Sequence, residues 1–261
     1  MNKQSVWETK SYYQTAKKAS LEHEHPALTE IKRLAKTSSS ILEVGCGEGT
    51  KLVSVVSKGQ KGVGVDISKT AINLAKKQYP HLTFVCSNAE SLPFKDNSFN
   101  LVFSAFVLEH TVRPEKVISE MIRVLKPNGI LALVAPNYGA PHRASPCFKG
   151  SRFQKLLTGF SKDVIRIVDN KKGKSLRWNR VSPLKDREYT IDTDTTIEPY
   201  LLALRNFLEN KVLEVVICSS CWEISEPEEN IGNKIFRFLG KQGLYPFSYW
   251  GPHAFIVVKK L

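Results

Sequence analysis

Short apolar runs of strand length alternate along the chain with stretches of helical period. The runs lie at Ser40 to Val44, Gly62 to Asp66, Leu82 to Cys86, Leu101 to Phe106, Ile130 to Ala135, Val212 to Cys218 and His253 to Lys259. Between them the spacing predicts helices over Thr50 to Ser57, Lys69 to Gln78, Glu115 to Leu125 and Ile197 to Glu209, with a leading helix within Tyr13 to Lys36. Alternation of this kind predicts an α/β fold, because parallel strands are joined by right-handed crossovers that cover both faces of the sheet. The last two runs have no long helical pattern between them, and Glu226 to Gly240 has room only for a short helix.

The first run stops abruptly in ILEVGCGEGT, residues 41 to 50. Gly45 and Gly47 permit a tight turn at positive φ and a close approach of backbone to ligand, while Gly49 lets the following helix start near the strand. Asp66 follows Gly45 by 21 residues at the end of the next run, where a carboxylate can bind both hydroxyls of a ribose. Those features alone suit a nicotinamide cofactor equally well, and Asp66 could simply cap the helix near Ser68. Glu43 changes the balance. A carboxylate just before the first glycine repels a pyrophosphate and favours a ligand that carries positive charge.

Further along come SNAESLPFKDNSFNLVFSAFVLEH and VRPEKVISEMIRVLKPNGILALVAPN. With these segments residues 41 to 136 resemble the class I S-adenosylmethionine-dependent methyltransferases, in the subgroup that includes quinone-biosynthesis and many small-molecule enzymes. The resemblance implies a Rossmann-like, seven-stranded, mostly parallel sheet with helices on both faces and a C-terminal antiparallel hairpin. It also implies that Glu43, Gly45, Cys46, Gly47 and Gly49 line the methionine and ribose part of the cofactor, that Asp66 binds the ribose and that Ile67 packs on the adenine. Asn88, Ala89 and Glu90 would stand at the adenine edge, with Asn88 where the family usually has aspartate. Ser104 to His110 would face the sulfonium and the acceptor. Tyr12 and Tyr13, in an aromatic N-terminal helix, would close over the cofactor or else pack as an ordinary amphipathic helix. An acceptor hydroxyl would need a base, and His110, His142 and Tyr138 are all open candidates.

The implied organisation is a helical lid over residues 1–36, a cofactor-binding core over 37–136, a basic acceptor-side cap over 137–196 and a completion of the sheet over 197–261. Charge makes the third part distinctive. Residues 140 to 195 hold 13 basic and 6 acidic side chains, so more than half of the net +13 sits there. Within it Phe148, Phe153, Leu156, Leu157, Phe160, Val164, Ile165 and Ile167 interleave with Lys149, Arg152, Lys155, Lys162 and Arg166. The pattern predicts a lid whose aromatics turn inward, peripheral membrane contact through residues 148–167, or a merely solvated face. Asp192 and Asp194 alternate as on one face of an extended segment. The expected acceptor is a small or lipid-attached anionic molecule, such as a glycan intermediate. An RNA methyltransferase and a catalytically silent cofactor-binding protein are the alternatives, nucleic acid being disfavoured by the lack of a recognition module. Five scattered cysteines suit reduced thiols, Cys218 and Cys221 form a lone C-x-x-C, and no metal site is expected. No window of eighteen apolar residues and no signal-like start point to a cytoplasmic chain.

Overall fold

The computed structural model describes residues 9, 12–13, 25–168, 176, 178–184, 192–209, 211, 213–221 and 231–261. The chain divides into two compact units, one of residues 1–105, 115–132 and 259–261, the other of 106–114 and 133–258.

The first unit opens with Tyr12 and Tyr13 in helical conformation and α1 (Pro26–Ala35). Pro26 sits in the first turn of α1, where its missing N–H costs nothing, and the His25 imidazole accepts from the amide of Ala27 at 3.2 Å. The remainder of the expected leading helix, residues 14–24, lies outside the described residues. Then follow β1 (Ser40–Val44), α2 (Thr50–Val55), β2 (Lys61–Asp66), α3 (Lys69–Gln78), β3 (Thr83–Cys86), β4 (Phe99–Ala105) and α4 (Pro114–Val124). β1 pairs in parallel with β2 and with β4, and β2 pairs in parallel with β3. All five residues of β1 are buried, which is why that segment reads as a continuous apolar run interrupted by one acid.

β5 (Leu125–Pro136) and β9 (His253–Lys260) run through both units, and the seven strands take the order β3-β2-β1-β4-β5-β9-β8. The order reverses between β1 and β4, the kind of switch point beyond whose strand ends ligands bind in open α/β sheets. Within β5, Asn128 takes a left-handed φ of 61.

The second unit holds a 3-10 turn (Leu108–His110), α5 (Arg152–Val168), a two-stranded antiparallel ribbon of β6 (Asn179–Arg180) with β7 (Ile197–Glu198), α6 (Leu201–Leu208), β8 (Leu213–Ser219) and α7 (Ile231–Lys241). The helix expected from Ile197 begins at Leu201 instead, because Ile197 and Glu198 are taken by the ribbon and Pro199 follows. Buried Asn137 ties this unit together. Its side-chain amide donates to the carbonyls of Tyr249 and Gly251 at 2.7 and 2.9 Å, and its oxygen accepts from the amide of Leu201 at 3.0 Å.

Gly49 is a left-handed position in the first unit with no room for a side chain. It caps α2 at φ 88, and a Cβ there would stand 2.9 Å from the Phe84 ring and 3.1 Å from that of Tyr79. Gly59 has the same left-handed φ of 89 but nothing within 4 Å. Gly49→Ala is therefore expected to cost about 2–4 kcal/mol, conformational strain plus overpacking, and Gly59→Ala only about 1–2 kcal/mol. Urea unfolding of the two variants checks the difference; equal losses would mean that the Phe84 ring yields without cost.

Candidate active site

At the end of β1 the chain turns through Gly45, Gly47 and Gly49 at φ 78, 52 and 88. The amides of Gly45 and Cys46 both donate to the carbonyl of Val65, at 2.7 and 3.0 Å, so the turn is pinned to β2. Asp66 completes the fastening: its Oδ2 accepts from the Gly47 amide and its Oδ1 from the Ser68 amide, each at 2.8 Å. The helix cap is Ser68 itself, whose hydroxyl accepts from the Ala71 amide at 3.1 Å. Asp66 is thus a clasp between glycine loop and α3. Burial raises its pKa, and those two amides oppose the rise.

Glu43 stands one residue before the end of β1, in register with Gly64 on one side and Phe103 on the other. Its side chain is fully buried and neither oxygen has a well-formed hydrogen bond among the described residues. Burial pushes its pKa up to about 8; Lys51 and the Leu52 amide oppose the rise, and Glu48 and Asp66 add to it. A carboxylate so placed is poorly served by the protein alone, and a positively charged ligand would satisfy it.

Around this loop Tyr13 is buried, 3.5 Å from where a Cβ on Gly47 would lie, with the Tyr12 ring edge-on at 5.0 Å. Ile67 leaves an aliphatic side chain in solvent at the end of β2. The Asn88 side-chain oxygen accepts from the Glu90 amide at 2.9 Å, so one of its lone pairs already shapes the turn that holds half-buried Ala89 and Glu90. The Cys46 thiol lies on the side of Gly64, and burial holds its pKa well above the usual thiol range. Ser104 is buried and donates to the carbonyl of Val44 at 2.8 Å, a staple between β4 and β1.

The second unit brings other candidates together. Asp192 to Asp194 form a turn, with Asp192 at φ 65, and not the extended stretch expected from their alternation. Asp192 can hold that left-handed conformation because short polar side chains tolerate it. The turn delivers two carboxylates: Tyr138 donates its hydroxyl to Asp192 at 2.5 Å, and Asp194 Oδ2 lies 3.5 Å from His110 Nδ1. Thr196 fastens the neighbouring strand end, its amide and hydroxyl donating to the Glu109 carbonyl at 2.9 and 3.1 Å.

Glu109 lies within the Ser104 to His110 segment expected to face the acceptor, although no role of its own was expected for it. It is fully buried, with Oε1 3.9 Å from His110 Nε2 and neither oxygen hydrogen-bonded among the described residues. Burial pushes its pKa to about 7, against the opposing charge of His110 and with help from Asp192 and Asp194. The only sequence signal is its place beside His110; its burial depends on the fold. Tyr138 is driven the other way from a base, since burial and the Asp192 carboxylate raise its pKa and keep it a donor. His142 is elsewhere, stacked on Trp250 at 5.3 Å with the planes 21° apart. Desolvation within that stack, with Arg143 and Lys155 nearby, lowers its pKa to about 4 although the residue keeps an exposed edge.

The same unit contains a cavity of about 400 Å³ walled by Phe148, Trp178 and Tyr200, with Gln154, Asn179 and Arg180 among its polar lining. Lys155, counted among the exposed cations from sequence, is buried here. It donates to Glu198 Oε2 at 2.5 Å and to the Tyr138 carbonyl at 2.8 Å. Among the described residues no group of His, Cys, Asp and Glu could hold a metal ion, and Cys218 and Cys221 are not joined in a disulfide.

Residues 42–133 match a family model described as a methyltransferase domain. A demethylmenaquinone methyltransferase of Renibacterium salmoninarum is 34% identical over 102 residues, 38% of this chain and 43% of that one. An uncharacterized methyltransferase of Synechocystis is 40% identical over 97 residues, 36% of this chain and 45% of that one. The matched stretch thus spans less than half the length of these curated relatives. Among solved structures, an S-adenosylmethionine-dependent methyltransferase from Mesorhizobium loti superposes with a TM-score of 0.56 at 14% identity, covering 90% of this chain and 96% of that one, which shows a shared fold.

The raised pKa of Glu43 has a consequence for stability. A carboxyl whose folded pKa lies above its unfolded value binds more protons in the folded state, so stability falls as pH rises from about 4.5 towards 8. Glu43→Gln, which keeps shape and removes the charge, should flatten that part of the pH profile and unfold at higher urea than the parent above pH 7. Urea midpoints of ligand-free parent and variant at pH 5 and pH 8.5 check this; parallel profiles would show that Glu43 titrates normally.

Proposed function

From a chain whose residues 42–133 match the methyltransferase-domain family, we propose an S-adenosylmethionine-dependent methyltransferase that acts on a small or lipid-attached anionic acceptor. The observation that carries the reading is Glu43, a buried and unpaired carboxylate at the head of a glycine loop, where a cationic ligand relieves the cost of burial. Bound there, S-adenosylmethionine supplies a methyl group on a sulfonium, open to in-line attack by an acceptor nucleophile.

The residues of the chain divide the remaining work. Gly45, Cys46, Gly47 and Gly49 offer backbone to the methionine and ribose part. Asp66 keeps further lone pairs beyond its two amide bonds and would accept from ribose hydroxyls. Solvent-exposed Ile67 would cover one face of the adenine, and the second lone pair of Asn88, with Ala89 and Glu90, would meet its edge. Tyr13, already packed beside Gly47, and Tyr12 would exclude water as part of a lid. On the acceptor side we assign the base to His110, with Asp194 and Glu109 as positioning residues and Tyr138 held as a donor by Asp192. His142, in its stack on Trp250, has no part in that assignment. Support for an anionic acceptor comes from Arg180 and Lys162 at the cavity and from the basic surplus of residues 140–195. Five cysteines, none in a disulfide, fit a reducing, cytoplasmic setting.

Calorimetric titration tests the reading. S-adenosylmethionine and S-adenosylhomocysteine are expected to bind the parent, and Glu43→Gln to weaken S-adenosylmethionine at least about tenfold, roughly 1.4 kcal/mol. NAD should not bind. Tight binding of NAD, or unchanged affinity in Glu43→Gln, would overturn the assignment.

A further inference from the structure

α5 is built inside out. Its inward positions recur at 155, 159 and 163 and carry a lysine, a glycine and an aspartate. Lys155 is paired with Glu198; Gly159 lies so close to Pro141 that a Cβ would meet it at 2.8 Å. Asp163, fully buried, accepts from the hydroxyls of Tyr200 and Tyr245 and from the Trp250 indole. The apolar stripe points to solvent instead. Phe153, Leu157, Phe160 and Val164 follow the i, i+4, i+7, i+11 spacing of one helix face, and Phe153 is 71%, Leu157 56% and neighbouring Ile165 62% exposed. α7 also carries apolar side chains in solvent, with Ile231 77% and Phe238 62% exposed and Ile235 outward as well. The Phe160 ring reaches those of Tyr245 and Trp250, and the Phe236 ring that of Phe247, so both helices adjoin one aromatic segment, residues 245–250.

We infer that α5 and α7 together dock the protein on the surface of an anionic lipid bilayer. Charge selects this occupant. Lys149 and Arg152 stand just before and at the start of α5, and Lys234 and Lys241 lie beside the outward stripe of α7. The one acid in either helix is Asp163, which is buried. Apolar side chains beside cations of a single sign match an interface where aliphatic and aromatic groups enter the acyl boundary and ammonium and guanidinium groups meet head groups. A second copy of the chain on the same face would bring like charges together. No helix among the described residues is long and apolar enough to cross a membrane, so the mode is one of lying on the surface. The inference stands apart from the assigned reaction, although it gives a lipid-attached acceptor a place to be met.

Co-sedimentation of the full chain with vesicles tests it. The parent is expected to pellet with vesicles of phosphatidylcholine and phosphatidylglycerol, to stay in solution with phosphatidylcholine alone, and to be released as salt screens the exposed charges. The triple variant Phe153→Ser, Leu157→Ser, Ile165→Ser changes only outward side chains. It should keep the parent's melting temperature and its affinity for S-adenosylhomocysteine while losing vesicle binding about tenfold or more. In Phe153→Trp, emission of the new indole should shift to the blue on anionic vesicles. A parent that ignores both vesicles, or a triple variant that binds as the parent does, overturns the inference. So does a parent that dimerises through this face and stays off vesicles. Loss of vesicle binding with cofactor affinity retained leaves the proposed reaction untouched; loss of cofactor affinity in the parent sinks that reaction alone.

Discussion

Taking a carboxylate out of water costs several kcal/mol unless donors, a cation or a proton compensate, and the way this chain meets that cost organises both of its units. Asp163 and Glu198 are compensated from within: three side-chain donors converge on the first, and a lysine, an amide N–H and the Asn179 side chain on the second. They hold α5, the ribbon of β6 and β7, and the 245–250 segment to one another. Glu43 and Glu109 are not so compensated, and their pKa values rise to about 8 and about 7. Two buried acids are therefore structural and two are poised to respond to a ligand or a proton. Perturbed groups of the second kind cluster where chemistry is done.

The glycine loop is a turn held in place without regular structure. Three left-handed glycines would leave the backbone loose, since glycine loses more conformational freedom on folding than any other residue. The Val65 carbonyl and both oxygens of Asp66 remove that freedom by bonding the loop to β2 and to the start of α3. A single carboxylate thus shapes the loop and still has lone pairs to spare. The structural and functional readings of Asp66 are not rivals, because a carboxylate has room for more acceptor bonds than its two backbone partners use.

The inverted helix α5 follows from the same constraint. Burying Lys155 and Asp163 commits the polar side of the helix inward, and the 3.6-residue period then turns Phe153, Leu157, Phe160 and Val164 outward. An amphipathic pattern states that a helix has two faces. It does not state which one meets the core.

What the chain determined by itself was local. Strand and helix order over residues 40–136, the turn after Val44, the pairing of a glycine loop with Asp66 and the candidacy of Glu43 were legible, because period, glycine spacing and residue type act within a few residues or along one crossover. What only the tertiary structure decided was burial and convergence. It turned Asp192 and Asp194 from an extended alternation into a turn beside Tyr138 and His110, and set His142 against Trp250. It also buried Lys155, one of the interleaved cations, against Glu198, and brought Glu109 to a near-neutral pKa. The reason is that a side chain's solvation, and with it its charge, is set by groups distant in sequence that fold over it.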